Sequence, residues 1–241
     1  MAQVEASSRR SGSMTHSPAS DAAPTSARHL VLAREVAEVG LQGGIYLRFV
    51  KPACDRFFAA VILVVLSPII LCTSIALRLT LGKGVLFRQE RIGKGGVPFT
   101  VLKFRTMKAD RRQERVVVES DRRRTHKSTS DPRHTGLGKF LRSTAIDELP
   151  QFVNVLRGDM SIIGPRPELP IVVEKYEPWQ HLRHDVRPGL TGLWQVSERG
   201  KGEAMHERVD VDLSYCDSVG FLTDLRILLA TPFALICARG E

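Results

Sequence analysis

Cysteine is scarce and unpatterned in this chain: Cys54, Cys72, Cys216 and Cys237 are spread over 241 residues, with no CxxC pair among them. That spacing excludes a cysteine zinc site and a disulfide framework, and it fits a reducing, cytosolic surrounding. Aromatic residues amount to 6% of the chain, and the highly charged run from Arg111 to Arg133 contains no Phe, Trp or Tyr. Single-stranded nucleic acid is held by aromatic stacking as well as by charge, so that run reads as an exposed helix or loop, and nucleic acid is not expected as a partner. A GxxxxGK[ST] phosphate loop is also missing, and the glycine-dense stretch Gly93 to Gly96 reads as a hairpin turn. The first 29 residues lack the basic start and apolar core of a secretory leader, and none is expected. With much Ser and Ala and few large apolar side chains, residues 1–45 read as a disordered or weakly ordered tail.

What is present is an uneven excess of positive charge. The formal net charge is +9, and between Lys103 and Arg142 thirteen Lys or Arg stand against five Asp or Glu, so +8 of the total lies in that window. Such a field serves an anionic membrane surface or a phosphorylated substrate. At 241 residues and 43% hydrophobic content, the chain can build one good-sized domain plus an appendage. From Phe57 to Leu77 runs an uncharged stretch of 21 residues, 17 of them apolar, bounded by Arg56 and Arg78. As a helix it would reach about 30 Å, the thickness of a bilayer core. Ser67-Pro68 interrupts its midpoint, where proline removes a hydrogen bond and kinks the axis. Arg48, Lys51 and Arg56 precede it and Arg78, Lys83 and Arg88 follow it, so the positive-inside rule favours neither orientation. The residues alone leave open a kinked span, a re-entrant hairpin that enters and leaves by one face, and a buried core helix.

Beyond this stretch, β-branched and aromatic residues at Val85 to Phe87 and Phe99 to Phe104 predict two short strands around the Gly93 to Gly96 turn. Lys103 and Arg105 alternate with Phe104 and so share one face. Leu149, Phe152, Val153 and Leu156 recur at i, i+3, i+4 and i+7, the apolar face of a short helix that ends before Gly158 and holds Pro150 in its first turn. Asp147 and Glu148 then fall at the helix start. Acidic residues there ordinarily satisfy orphan N–H groups. Here they also stand near Arg142, Arg157 and Arg166 in sequence, the last fixed by the Gly164-Pro165-Arg166-Pro167 turn, a grouping suited to phosphate chemistry. In the later RPGLTGLWQV segment, Gly189 and Gly192 permit a tight turn or close backbone approach beside Arg187, and the Gln195 amide suits a uracil or sugar hydroxyl. His181 and His184 stand at i, i+3 without a third ligand in view and read as surface residues. Leu222 to Ala238, containing Asp224, Arg226 and Pro232, reads as an amphipathic helix lying on the core or on a membrane surface.

Residues 51–241 resemble the monotopic phosphoglycosyl transferases, also called bacterial sugar transferases. The likeness is carried by the apolar segment broken at Ser67-Pro68, KFRTM from Lys103, DPRHTGLGKFLRSTAIDELPQ, GDMSIIGPRPE and RPGLTGLWQV, in that order. It implies an α/β mixed fold, mainly helical with a small β-hairpin or sheet. Membrane association is implied through a re-entrant helix hairpin at 46–82, broken at Ser67 and Pro68, and through interfacial amphipathic helices. A catalytic domain at 83–241 is implied on the cytoplasmic face of the bacterial inner membrane. The reaction implied is transfer of a sugar-1-phosphate from a UDP-sugar to undecaprenyl phosphate with release of UMP, the first membrane step of exopolysaccharide synthesis.

The same resemblance makes Asp147 the nucleophile that carries the phosphosugar covalently and Glu148 a metal ligand or proton carrier, with Mg²⁺ held by both. Arg142, Arg166, Lys103 and Arg105 become phosphate contacts, and the loop with Arg187, Gly189, Gly192 and Gln195 meets the nucleotide sugar. Trp194-Gln195 leans toward a UDP-hexose such as UDP-galactose or UDP-glucose, whereas Ser197-Glu198-Arg199 departs from the Ser-Gly-Arg common among relatives. Expected partners are the two substrates, membrane lipids and downstream glycosyltransferases. A catalytically inactive scaffold of the same family and a membrane-tethered nucleic-acid binder are the other function classes; the intact carboxylates oppose the first and the Pro-broken apolar stretch the second.

Overall fold

The computed structural model describes residues 44–108, 135–197 and 208–237. The expected tail, except for its last two residues, the charged run Arg111–Arg133, and Glu198 and Arg199 lie outside the described residues. A π-helical turn, Tyr46–Val50, leads into α1 (Lys51–Val65) and, one residue later, α2 (Ser67–Leu81). The chain continues through β1 (Leu86–Ile92), a 3-10 turn at Lys94–Gly96, β2 (Pro98–Phe104), α3 (Gly136–Ser143), a 3-10 turn at Ile146–Glu148 and α4 (Gln151–Arg157). There follow β3 (Ser161–Ile163), the single turn α5 (Pro170–Val173), a 3-10 stretch Pro178–Asp185, β4 (Gly189–Thr191), α6 (Leu193–Ser197), α7 (Val209–Asp217) and α8 (Phe221–Cys237). The expected mainly helical fold with a small β component is what forms. β1 and β2 make an antiparallel hairpin with Leu86 opposite Phe104 and Ile92 opposite Pro98, while β3 and β4 pair in parallel. β1 runs farther than its apolar start foretells, because Arg88 to Arg91 extend it with polar side chains.

The break between α1 and α2 follows from one missing donor. Pro68 has no N–H to give to the Val64 carbonyl, and the Ser67 hydroxyl supplies the replacement at 2.7 Å. The two arms meet at 62°. Each has 15 residues, about 22 Å of helix, short of a bilayer core of about 30 Å. Among the described residues, no single helix is long and apolar enough to cross a membrane. Apart from Ala59 and Leu77, which are fully buried, burial in this pair is inverted. Val64, Val65 and Leu79 are 72, 66 and 81% exposed, whereas Lys51, Asp55 and Thr73 are buried.

Polar ties dock the hairpin onto the rest of the molecule. Lys51 Nζ and the Tyr46 hydroxyl each meet Asp224 Oδ2 of α8 at 2.6 Å, and Tyr215 of α7 donates to Oδ1 at 2.8 Å. Asp55 accepts from the Ser161 hydroxyl at 2.6 Å and from the Ile162 N–H at 3.2 Å. Beneath these ties lies an apolar cluster of Ala59, Val101, Val155 and Met160, joining α1, β2, α4 and the approach to β3.

α4 is where the periodicity misleads. The residues it buries are Gln151, Asn154 and Val155, and Leu156 of the expected apolar face is 42% exposed. Asn154 has the stronger reason to face inward. Its side chain accepts from Leu102 N at 3.0 Å and donates to Thr100 O at 2.7 Å, satisfying backbone groups of β2 that β1 does not pair. Leu149 and Phe152 line a cavity, and Phe152 also packs against the cluster of Ala59, Val101, Val155 and Met160.

Candidate active site

The Asp147-Glu148 pair is delivered by an uncommon backbone. Ala145 is the one described non-glycine residue with positive φ, at 57°, a conformation that costs an L-residue about 1–2 kcal/mol. It ends the segment leaving α3 and opens the Ile146–Glu148 turn. α3 contributes Arg142 from its last turn and is capped at its start by Thr135, which accepts from Gly138 N at 2.9 Å. β2 contributes Lys103, whose Nζ lies 2.8 Å from Glu148 Oε1. Burial first, then the Glu148 charge, push the Asp147 carboxyl from 3.8 up to about 6, while Lys103 and Arg142 pull it down.

Arg166 stands on a loop in which four consecutive carbonyls are held. Pro165 O accepts from Gly189 N at 2.8 Å, Arg166 O from Arg183 Nη2 at 2.8 Å, Pro167 O from Arg91 Nη1 at 3.2 Å and Glu168 O from Ile92 N at 2.9 Å. Arg183, only 2% exposed, also donates to the Tyr176 hydroxyl at 2.6 Å and pairs with buried Asp212. Burial pushes the Asp212 carboxyl up to about 6 against the pull of Arg183. Sequence reading misses Arg183 and Asp212, because two lone charges far apart in the chain carry no local motif.

The other expected site residues divide. Arg105 gives its Nη2 to Leu81 O at 2.5 Å and so closes the end of α2, and Arg187 gives its Nε to Gly158 O at 2.9 Å beside the end of α4. Arg157 is exposed in the last turn of α4, seven-residue helix that begins three residues after Glu148. Gly189 and Gly192 serve a close backbone approach, but to the chain itself. A Cβ at Gly189 would lie 2.2 Å from Gly164 N, and one at Gly192 2.1 Å from Gly164 O. Gln195 is buried with neither amide atom bonded. The reading of His181 and His184 as surface residues holds for His181 and fails for His184. Its ring is buried and stacked on Tyr176, with centroids 6.1 Å apart. Burial, then the neighbouring Arg183 and His181, lower its pKa to about 4.

Two cavities share Glu148 of the carboxylate turn, and Asp147 lines neither. One, about 600 Å³, is walled mainly by apolar side chains of the hairpin, α4 and α8, including Phe58, Ile62, Leu149, Phe152, Leu225 and Leu228, with Gln195 also on its wall. The other is a polar cleft of about 20 Å³ bordered by Arg91, Lys103, Gln151 and Gly189. Glu148 and Arg166 line both. Among the described residues, no three His, Cys, Asp or Glu side chains gather as a metal cage. Two adjacent carboxylates suit a hard cation that takes its remaining ligands from water and substrate phosphate, the usual habit of Mg²⁺.

The bacterial sugar transferase family matches residues 46–238. A UDP-glucose:undecaprenyl-phosphate glucose-1-phosphate transferase of Escherichia coli is 41% identical over 193 residues, covering 77% of this chain and 40% of that protein. The galactosyl transferase CpsE of Streptococcus agalactiae is 40% identical over 162 residues, 66% of this chain and 36% of that protein. The exopolysaccharide production protein ExoY of Sinorhizobium fredii is 36% identical over 201 residues, 79% of this chain and 87% of that protein. The chain thus spans about two fifths of the length of the first two and most of the third. Because the match spans the hairpin, the carboxylate turn, the arginine loop and α8, the chain belongs to the bacterial sugar transferase family.

Proposed function

We propose that this protein transfers a sugar-1-phosphate from a UDP-sugar to undecaprenyl phosphate, releasing UMP, and that Asp147 carries the phosphosugar between the two halves of the reaction. The observation that carries this reading is that Glu148 and Arg166 line both an apolar cavity and a polar cleft. A lipid chain and a soluble diphosphate can then present their phosphates to the same groups in turn.

In the first half, an Asp147 carboxylate oxygen attacks the sugar-linked phosphorus, the bond from that phosphorus to the bridging oxygen breaks, and UMP leaves with the electron pair. In the second, a phosphate oxygen of undecaprenyl phosphate attacks the same phosphorus and the carboxylate is regenerated. Repulsion is the obstacle, since like unit charges about 4 Å apart oppose one another by roughly 4 kcal/mol at an effective dielectric near 20. Arg166 and Arg142 offset it by holding phosphate oxygens through charge-assisted hydrogen bonds. Lys103 keeps the Glu148 carboxylate in place, from where Glu148 would help to hold a metal ion or accept a proton from a monoanionic acceptor. Mg²⁺ held by Asp147 and Glu148 would neutralise the diphosphate. The exposed apolar faces of α1 and α2 support a hairpin embedded in the inner membrane from the cytoplasmic side, with the reaction opening exopolysaccharide assembly. Trp194-Gln195 favours a UDP-hexose, glucose or galactose.

Detergent-solubilised protein given Mg²⁺, undecaprenyl phosphate and a panel of UDP-sugars is expected to release UMP, with UDP-glucose or UDP-galactose preferred. Asp147→Asn should abolish the release; undiminished release would show that another group carries the phosphosugar.

A further inference from the structure

Gln151 has no role in the chemistry above, yet its placement is unusual. It opens α4, it is only 4% exposed, and its Nε2 makes no hydrogen bond. A buried amide donor without a partner is destabilising, and such groups in native proteins call for a reason. Gln151 borders the polar cleft shared with Glu148 and Arg166. Two of the cations around that cleft are already engaged. Lys103 is paired with Glu148, and Arg91 holds Pro167 O and Gln89 Oε1 and faces Glu168. The space itself is about 20 Å³, against the roughly 10–15 Å³ that admits one water. It is therefore room enough to seat one oxygen-sized atom and too small to enclose a sugar ring or a base.

We propose that this cleft is a phosphoryl-oxygen pocket and that the Gln151 amide donates into it, to one non-bridging oxygen on the sugar-linked phosphorus of the nucleotide sugar. The assignment rests on the two-step phosphoryl transfer proposed above. A neutral donor suits this place. As Asp147 attacks, charge shifts onto the equatorial oxygens of the transferring group, and a fixed N–H beside one of them stabilises that state without reorganising. A further cation would instead compete with Lys103 for Glu148. On this assignment Gln151 touches the substrate through the reacting phosphorus, while Arg166 reaches the same group from the loop opposite.

The test uses Gln151→Leu in the full chain, a change that nearly keeps the volume and removes the donor. UMP release in a single turnover without acceptor should slow by roughly 100-fold, the low end for losing one oxyanion donor. Thermal stability should stay level or rise, because an unsatisfied buried group has gone. A UDP-sugar bearing sulfur at a non-bridging position of the sugar-linked phosphorus supplies a readout that folding alone does not move. Wild type should discriminate between the two phosphorus diastereomers, and Gln151→Leu should lose most of that discrimination. If the Leu variant does not fold, Gln151→Glu, close in shape and without the donor, should show the same loss. Wild-type rates in both variants, or unchanged diastereomer discrimination alongside a fall in stability, would overturn the assignment and leave Gln151 as packing around a water. Wild-type protein that releases UMP without forming a phosphosugar adduct on Asp147 would instead sink the two-step reading, whatever Gln151 does.

Discussion

Burial and the adjacent Glu148 charge push the Asp147 carboxyl up to about 6, so near pH 8 the folded chain holds ionised a group that it would more readily protonate than the unfolded chain would. The sign of the linkage follows. With a folded value above the ordinary 3.8, the contribution of Asp147 to stability is fully present below that ordinary value and is lost as the pH rises through about 6. Asp147→Asn removes the ionisable group and keeps the shape. It should therefore raise the melting temperature at pH 8 by several degrees, about 1–3 kcal/mol for a shift near two units, while abolishing UMP release. The gain should shrink through pH 6 and vanish near pH 4, and a lower melting temperature at pH 8 would contradict it. The wild-type enzyme should show the kinetic counterpart. UMP release in the first half-reaction should fall with pH below about 6, because only the ionised carboxylate attacks.

At the scale of elements, the hairpin is held by a small number of buried polar ties. Lys51 and Asp224 form an ion pair at 2.6 Å with both side chains under 10% exposed, and Asp224 also receives the Tyr46 and Tyr215 hydroxyls. Breaking one side of such a pair typically costs about 3–5 kcal/mol, because the remaining charge stays buried. Lys51→Met should be destabilising on that scale in detergent, as should Asp224→Asn. The double variant should cost at least about 1 kcal/mol less than the two single costs added together; strict additivity in a double-mutant cycle would show that the pair does not couple α1 to α8. These ties also mark the limit of what the sequence discloses. The α1–α2 break was legible because Pro68 acts on its own neighbours, and the β1–β2 hairpin because its turn is written in glycine. The buried face of α4 was not, since Asn154 is chosen by unpaired groups of β2 rather than by helical period. Nor was the fate of Arg105, expected as a phosphate contact, and of Arg187, expected in the nucleotide-sugar loop, which meet the backbone near the ends of α2 and α4. The carboxylate turn and the arginine loop could be read as neighbours in sequence. The cleft that joins them to Gln151 exists only once β2 and α4 pack.

For the whole molecule, the apolar surface turned outward decides where the site can stand. Phe57 of α1, Leu79 of α2 and Leu229 and Phe233 of α8 are each more than 60% exposed, an arrangement expensive in water and favourable in lipid. The arms are each about 22 Å long and bent by 62°, a shape that suits either a broken span or a re-entrant loop; on the re-entrant reading proposed above, the carboxylate turn stays at the interface where a lipid phosphate and a soluble nucleotide sugar both arrive. The two ends can be tagged directly. In a cysteine-free background, with Cys54, Cys72, Cys216 and Cys237 replaced by Ser, Arg48→Cys and Lys83→Cys place one thiol before α1 and one after α2, both at exposed positions. A membrane-impermeant maleimide added to inverted membrane vesicles should label both equally, and added to intact spheroplasts it should label neither. Labelling of one position from each side would mean that the bent pair crosses the bilayer, and the domain that follows α2 would then face the other compartment from the residues that precede α1.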